Sequence, residues 1–177
     1  MNTAAGADNT IVMSDRTADP QYTLSQPPAP EVLTAAVLAQ LADRGWDSVH
    51  HVPAPYGHYD HIALGPGGVV LIESVRLAPE AALDPELRTH LLADARVVRE
   101  RLSALAGRRT WVQSMIVVWG PEDAGCVIDG RCVVLDGSRL SRWLERRPSQ
   151  LTAGDLGPLF AAVQQLAAGS ESAAAAA

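Results

Sequence analysis

The chain has 177 residues, 47% of them hydrophobic and 19% charged, with a formal net charge of −6. That length suits one domain with its own core, and no apolar run approaches the ~18 residues of a membrane-spanning helix. Two cysteines are too few for a disulfide framework, and an acidic balance opposes avid, non-specific binding of nucleic acid.

The charge is unevenly spread. Residues 1–87 hold 3 Arg against 11 Asp and Glu, a balance of −8, whereas residues 88–147 hold 11 Arg against 7 acids, a balance of +4. All 14 Lys and Arg residues are arginine, so the chain contains no lysine. The N-terminus lacks a basic stretch followed by an apolar one, so no secretory leader is expected and a cytoplasmic location follows.

Residues 1–27 have little periodicity and many small or polar side chains, and are expected to be disordered. Pro28 and Pro30 precede a helix predicted over Glu31–Arg44, with Leu33, Val37 and Leu41 as its apolar stripe and Gly45 as its stop. Asp47–Val52 reads as a strand and 53–57 as a loop. Tyr59–Leu64 and Val69–Val75 then flank Pro66-Gly67-Gly68, a turn signal between two apolar runs of strand length. An even loop makes Leu64 face Val69, Ile62 face Leu71 and Asp60 face Glu73, all on one side of an antiparallel hairpin. Two like charges placed opposite each other destabilise a strand pair unless something compensates them.

Leu77–Glu86, with two prolines, reads as an irregular connection. The longest predicted helix, Leu87–Ala106, carries a stripe of Leu87, Leu91, Ala95, Val98, Leu102 and Leu105. Trp111–Trp119 reads as a buried strand parallel to Val69–Val75, because a strand–helix–strand unit normally forms a parallel crossover. Cys126–Ile128 and Arg131–Leu135 flank Asp129-Gly130 as a second hairpin, with both cysteines expected as buried free thiols. Ser138–Arg147 reads as a short helix with Leu140, Trp143 and Leu144 inward. Thr152 and Asp155 form a capping-box pattern ahead of a helix to about Ala167, with Leu159, Phe160, Val163 and Leu166 inward. Residues 169–177 form a low-complexity, alanine-rich tail, expected to be disordered. These elements predict an α/β fold: a mixed central sheet flanked by helices.

Asp60-His61, Gly65-Pro66-Gly67-Gly68-Val69 and Glu73 resemble the nuclease-related domain (NERD), a branch of the PD-(D/E)xK nuclease superfamily. The likeness extends from Gly45-Trp46 to about Leu166, within a domain spanning 28–168. It implies a restriction-endonuclease-like fold, with Asp60 and Glu73 as ligands of Mg2+ and a glutamate, here Glu31, near the site. Independently of the family, Glu31 in a first helical turn suits the helix dipole. The family's lysine falls on Val75, which can neither orient water nor stabilise developing charge. Arg76 is adjacent but is expected to point to the other face, and a guanidinium does not deprotonate.

The implied function is therefore a degenerate site, catalytically impaired, on a protein that binds nucleic acid or a protein partner. The alternatives are an active metal-dependent nuclease with an unorthodox base, and a purely structural or interaction domain. A phosphate-facing surface would have to come from Arg88, Arg96 and Arg99 on one helix flank, with Arg108 and Arg109 beyond its end. His50, His51, His58 and His61 cluster within twelve residues but match no familiar zinc spacing.

Overall fold

The computed structural model of the chain describes residues 27–168 apart from positions 56, 80, 121–123 and 130, so both predicted tails lie outside the described residues save Pro27. The central hairpin joins β2 (Gly57–Gly65) to β3 (Gly68–Arg76) through the two-residue loop Pro66-Gly67. Leu64 pairs with Val69 and Ile62 with Leu71, as the turn chemistry requires. Gly68 has a φ of 106°, open to glycine and strained for any other residue. Gly65 serves a different need: a Cβ there would lie 2.3 Å from the Trp46 indole, which is 4% exposed.

The sheet continues on both sides of this hairpin. β1 (Asp47–Ala54) pairs antiparallel with β2, and β4 (Val112–Trp119) pairs parallel with β3. Beyond β4 lie β6 (Cys132–Asp136) and then β5 (Cys126–Asp129), giving six strands in the order β1-β2-β3-β4-β6-β5. The molecule is thus α/β, with a mixed sheet flanked by helices. β5 and β6 pair as Asp129–Cys132, Ile128–Val133 and Val127–Val134. Arg131 therefore belongs to the turn, and the register differs by two residues from one set by Asp129-Gly130. Cys132 is buried, whereas Cys126 is exposed on the edge strand, contrary to expectation.

Side chains alternate across β3, so its two faces serve two cores. Val69 and Leu71 face α2 (Pro85–Leu105) and α4 (Ala153–Ala168), whereas Val70 and Ile72 face α1 (Pro30–Ala39) and α3 (Leu140–Glu145). α1 is shorter than its pattern predicts. It gives way at Gln40, a 3₁₀ turn follows over Ala42–Arg44, and Gly45 closes it in the left-handed conformation. Its buried residues are Thr34 and Leu38, with Leu41 just beyond its end, rather than a Leu33–Val37–Leu41 stripe.

Thr34 is buried because it is a polar hub. Its hydroxyl donates to the Pro30 carbonyl and accepts from Ser74 Oγ and Trp119 Nε1, each at 2.9 Å. In α2 the predicted stripe is buried at Leu91, Ala95, Val98 and Leu102, but Leu105 is 47% exposed where the helix ends. Asp84 caps α2, and its carboxylate accepts from the Glu86 N–H at 2.9 Å. Before α4, Asp155 reaches back to the Thr152 N–H at 2.8 Å, half of the expected capping box. In α3, Leu140 and Leu144 are buried while Trp143 is only partly so.

The turn end of the hairpin is tied down by the α3–α4 connection. Gln150 and Leu151 donate to the Pro66 carbonyl at 2.8 and 3.1 Å, and Arg147 Nε donates to the Gly67 carbonyl at 2.8 Å. The Gly-Pro-Gly-Gly segment is thus a structural joint, at the opposite end of the strands from Asp60 and Glu73.

Candidate functional site: a carboxylate cleft at the open end of the hairpin

The site lies where β2 and β3 part. Their ladder runs from Gly65–Gly68 to His61–Ile72 and stops there. In the same register the next hydrogen-bonded pair would be Tyr59 with Ser74. Instead, the Ser74 N–H donates to Asp60 Oδ2 at 2.8 Å. A side-chain carboxylate has taken the place of a strand carbonyl, so Asp60 is fixed by the backbone of the neighbouring strand. On the other side, the β1–β2 ladder omits the His51–Asp60 pair, and His51 has a φ of 49°, uncommon for a residue with a Cβ.

Asp60 is buried, and its pKa is raised by that burial, opposed by the Ser74 N–H, raised further by Glu31, and lowered by His58 and His51. His58 Nε2 stands 3.7 Å from Asp60 Oδ1. Glu73 is half-buried, and its carboxyl is pushed up to about 7, first by burial and then by the charges of Asp60, Asp94 and Glu31. The expected like-charge convergence of Asp60 and Glu73 is therefore present electrostatically, and Glu31 acts on both. What offsets it is a retained proton on Glu73, backed by one backbone N–H and a nearby imidazole on Asp60.

Glu73 opens into a cleft of about 550 Å³ lined also by His58, Tyr59, His90 and Asp94. Asp94 and His90 come from α2. Burial raises the Asp94 pKa, opposed by the Tyr59 hydroxyl and by His90. The Tyr59 hydroxyl is buried beside Asp94 without closing a well-formed hydrogen bond, and its pKa is pushed up to about 12 by burial and then by Asp94. Sequence reasoning did not place Asp94 here. A signal exists: it stands three residues after Leu91 and four before Val98, an acid on the buried side of an amphipathic helix.

Val75, at the lysine position, is packed against the α2–α4 core. Arg76 turns to the other face, where it donates to the Pro28 carbonyl. The histidines form two pairs. His50 and His61 meet through Nδ1 atoms 2.7 Å apart, and His51 and His58 lie with ring centroids 5.0 Å apart. His61 is 1% exposed and its pKa falls to about 3, through burial and then its neighbours His50 and His51. Among the described residues, no three His, Cys, Asp or Glu side chains are grouped to hold a metal ion.

The predicted arginine surface is only partly assembled. Arg96 pairs with Glu100 at 3.0 Å, and Arg108 pairs with Asp155. Arg88 lies on α2 about 12 Å from Arg96, at a rise of ~1.5 Å per residue. Arg96 and Arg99 share a shallow groove with Trp111 and Arg131, and Arg108 and Arg109 line a neighbouring one to which Trp111 also belongs. Trp111 is 45% exposed, and the Arg131 guanidinium sits 5.3 Å from its ring centroid. Neither residue was expected there, because Trp111 reads as the start of a buried strand. Comparison of the chain with protein-family models and with curated proteins gave no match.

Proposed function

We propose that this protein is NERD-like, with a restriction-endonuclease-like fold and a degenerate PD-(D/E)xK site that no longer cleaves, and that it acts by binding nucleic acid. The element order α1-β1-β2-β3-α2-β4 supports the fold. The observation that carries the functional reading is Val75. It stands two residues after Glu73, on the same side of the strand, and is partly buried against the core. Every ionisable neighbour that shifts Glu73 is a carboxylate, and among the described residues no Lys or Arg lines its cleft to take the lysine's role of orienting water or stabilising developing charge.

Asp60 and Glu73 fit a loosely held divalent ion, with Asp60 Oδ2 already engaged by Ser74 and much of the coordination shell left to water. Bound Mg2+ would supply charge neutralisation and a more acidic water. The chain's own residues raise the Glu73 pKa to about 7, so that it shares its proton with solvent near neutral pH, and orient Asp60.

Nucleic-acid contact falls to Arg96, Arg99 and Arg131 around Trp111, an exposed aromatic among cations, suited to phosphate contact and base stacking. Arg108 and Arg109 extend this surface.

The test is a cleavage assay on DNA and RNA with Mg2+ and Mn2+, beside an anisotropy titration at two salt concentrations. No cleavage, with salt-dependent binding weakened by Arg96→Glu/Arg99→Glu, is the expected result. Metal-dependent cleavage abolished by Asp60→Ala would restore the active-nuclease reading. A second reading, a protein-interaction domain, rests on β5, an edge strand whose Val127 and Ile128 are 52% and 68% exposed. Binding that ignores salt and the arginine substitutions would favour it.

A further inference from the structure

A concavity larger than the carboxylate cleft lies on the α3 side of the sheet. It is a groove of about 800 Å³ lined by Arg139, Arg142, Arg146, Arg147 and Trp143 over the buried Leu135. Among the described residues, no carboxylate lines it. Of the acids nearest in sequence, Glu145 is turned away to Arg44 and Ser141. Asp136 is occupied by the N–H groups of Ala124 and Ser138 and by the Ser138 hydroxyl. Among the described residues, Arg142, Arg146 and Arg147 have no acidic partner.

Arg147 is the anchor. Its Nε is held by the Gly67 carbonyl, its guanidinium lies 4.6 Å from the Trp143 ring centroid, and burial lowers its pKa. A half-buried cation fixed on an aromatic face, with two further guanidiniums one helical turn apart at its rim, is poised for an anion.

We propose that this groove binds a nucleoside polyphosphate, its phosphates on Arg142, Arg146 and Arg147 and its base against Trp143. The size falls in the ~300–1,000 Å³ range of small-molecule sites. Charge density selects the ligand class. A terminal phosphate carries about −1.5 to −2 at neutral pH and each bridging phosphate about one charge more, so a short phosphate chain meets several guanidiniums within one groove, whereas a peptide supplies at most one carboxylate per residue. Planar guanidiniums also match phosphate oxygens in paired hydrogen bonds. A net charge of −6 opposes a long polyanion more than a compact one. The proposal is independent of the nuclease-like reading, and uses none of its residues.

Calorimetric titration of the full chain with ATP, and separately with inorganic triphosphate, tests it at low and at physiological salt. Both should bind, with affinity falling as salt rises. Arg142→Gln/Arg146→Gln, at two exposed positions, should weaken both at least tenfold, while Arg96→Glu/Arg99→Glu leaves them unchanged. Trp143→Ala should weaken ATP more than triphosphate, separating base from phosphate recognition. Absence of binding to either ligand at millimolar concentration overturns the proposal, as does binding indifferent to the Arg142/Arg146 pair. So would a single-stranded oligonucleotide that binds the groove tighter than ATP and is lost in the same variant; it would assign the groove to nucleic acid.

Discussion

Glu73→Gln should make the protein more stable at pH 8 and leave it unchanged at pH 4. The folded-state pKa of Glu73 is about 7, against an ordinary 4.5. Between these values the folded state binds more protons than the unfolded one, so the stability contributed by this group falls as pH rises and levels off above about 7. At ~1.4 kcal/mol per pH unit the interval corresponds to ~3.5 kcal/mol. Water entering the cleft beside this half-buried group screens the interaction and brings the expectation nearer ~2 kcal/mol. Glutamine keeps the shape of the protonated acid but cannot ionise. His61 contributes an opposite slope at acid pH, but to both proteins equally, so the difference between them isolates Glu73. Urea denaturation of parent and variant from pH 4 to pH 8.5 measures it. A flat difference curve, or a variant less stable at pH 8, would refute a buried, repelled carboxyl and point instead to a cation that neutralises Glu73.

His61, with a folded pKa of about 3 against 6.5, binds fewer protons folded than unfolded, so stability is lost as pH falls below 6.5. The loss at pH 5 should reach ~2 kcal/mol, and His61→Gln should remove it in the same denaturation series. Thr34→Val keeps the volume but strips the acceptor from Ser74 Oγ and Trp119 Nε1, for a loss of about 2–6 kcal/mol at ~1–3 kcal/mol per orphaned donor; a thermal melt reads it, and a loss under ~1 kcal/mol would mean water replaces the hydroxyl. Gly65→Ala drives a Cβ into the Trp46 ring and should cost about 1–3 kcal/mol as overpacking, with a changed Trp emission; an unperturbed variant would show that the ring moves freely. Val75→Lys should lower stability, because half-buried Val75 packs against the core, and should raise metal-dependent cleavage above background only if Asp60 and Glu73 hold the ion together.

The hairpin register, the parallel pairing of β3 with β4 and most of the α2 stripe were legible in the sequence, because each follows from a local period or a turn. Leu64 must face Val69 once Pro66-Gly67 closes the loop, and Leu91, Ala95, Val98 and Leu102 must share a face at ~100° per residue. The pairing of Asp60 with Glu73 was legible only as proximity. The strands part after His61–Ile72, and Asp60 takes the Ser74 N–H, a choice made by where the backbone of a second strand runs.

Asp94 and His90 reach the cleft from α2, some twenty residues from β3 in the chain, and no local pattern fixes the rotation of a helix over a sheet. The β5–β6 register was misread because Asp129-Gly130 satisfies a turn preference, and the observed pairing differs by two residues, a shift that leaves each side chain on its own face and so gives the apolar pattern nothing to choose by. The count of arginines was in the sequence from the start. Which of them meet an acid, as Arg44, Arg96 and Arg108 do, and which line a groove without an acidic partner among the described residues, as Arg142, Arg146 and Arg147 do, was decided only by tertiary packing, since charge pairing depends on distances through space that separation along the chain does not set.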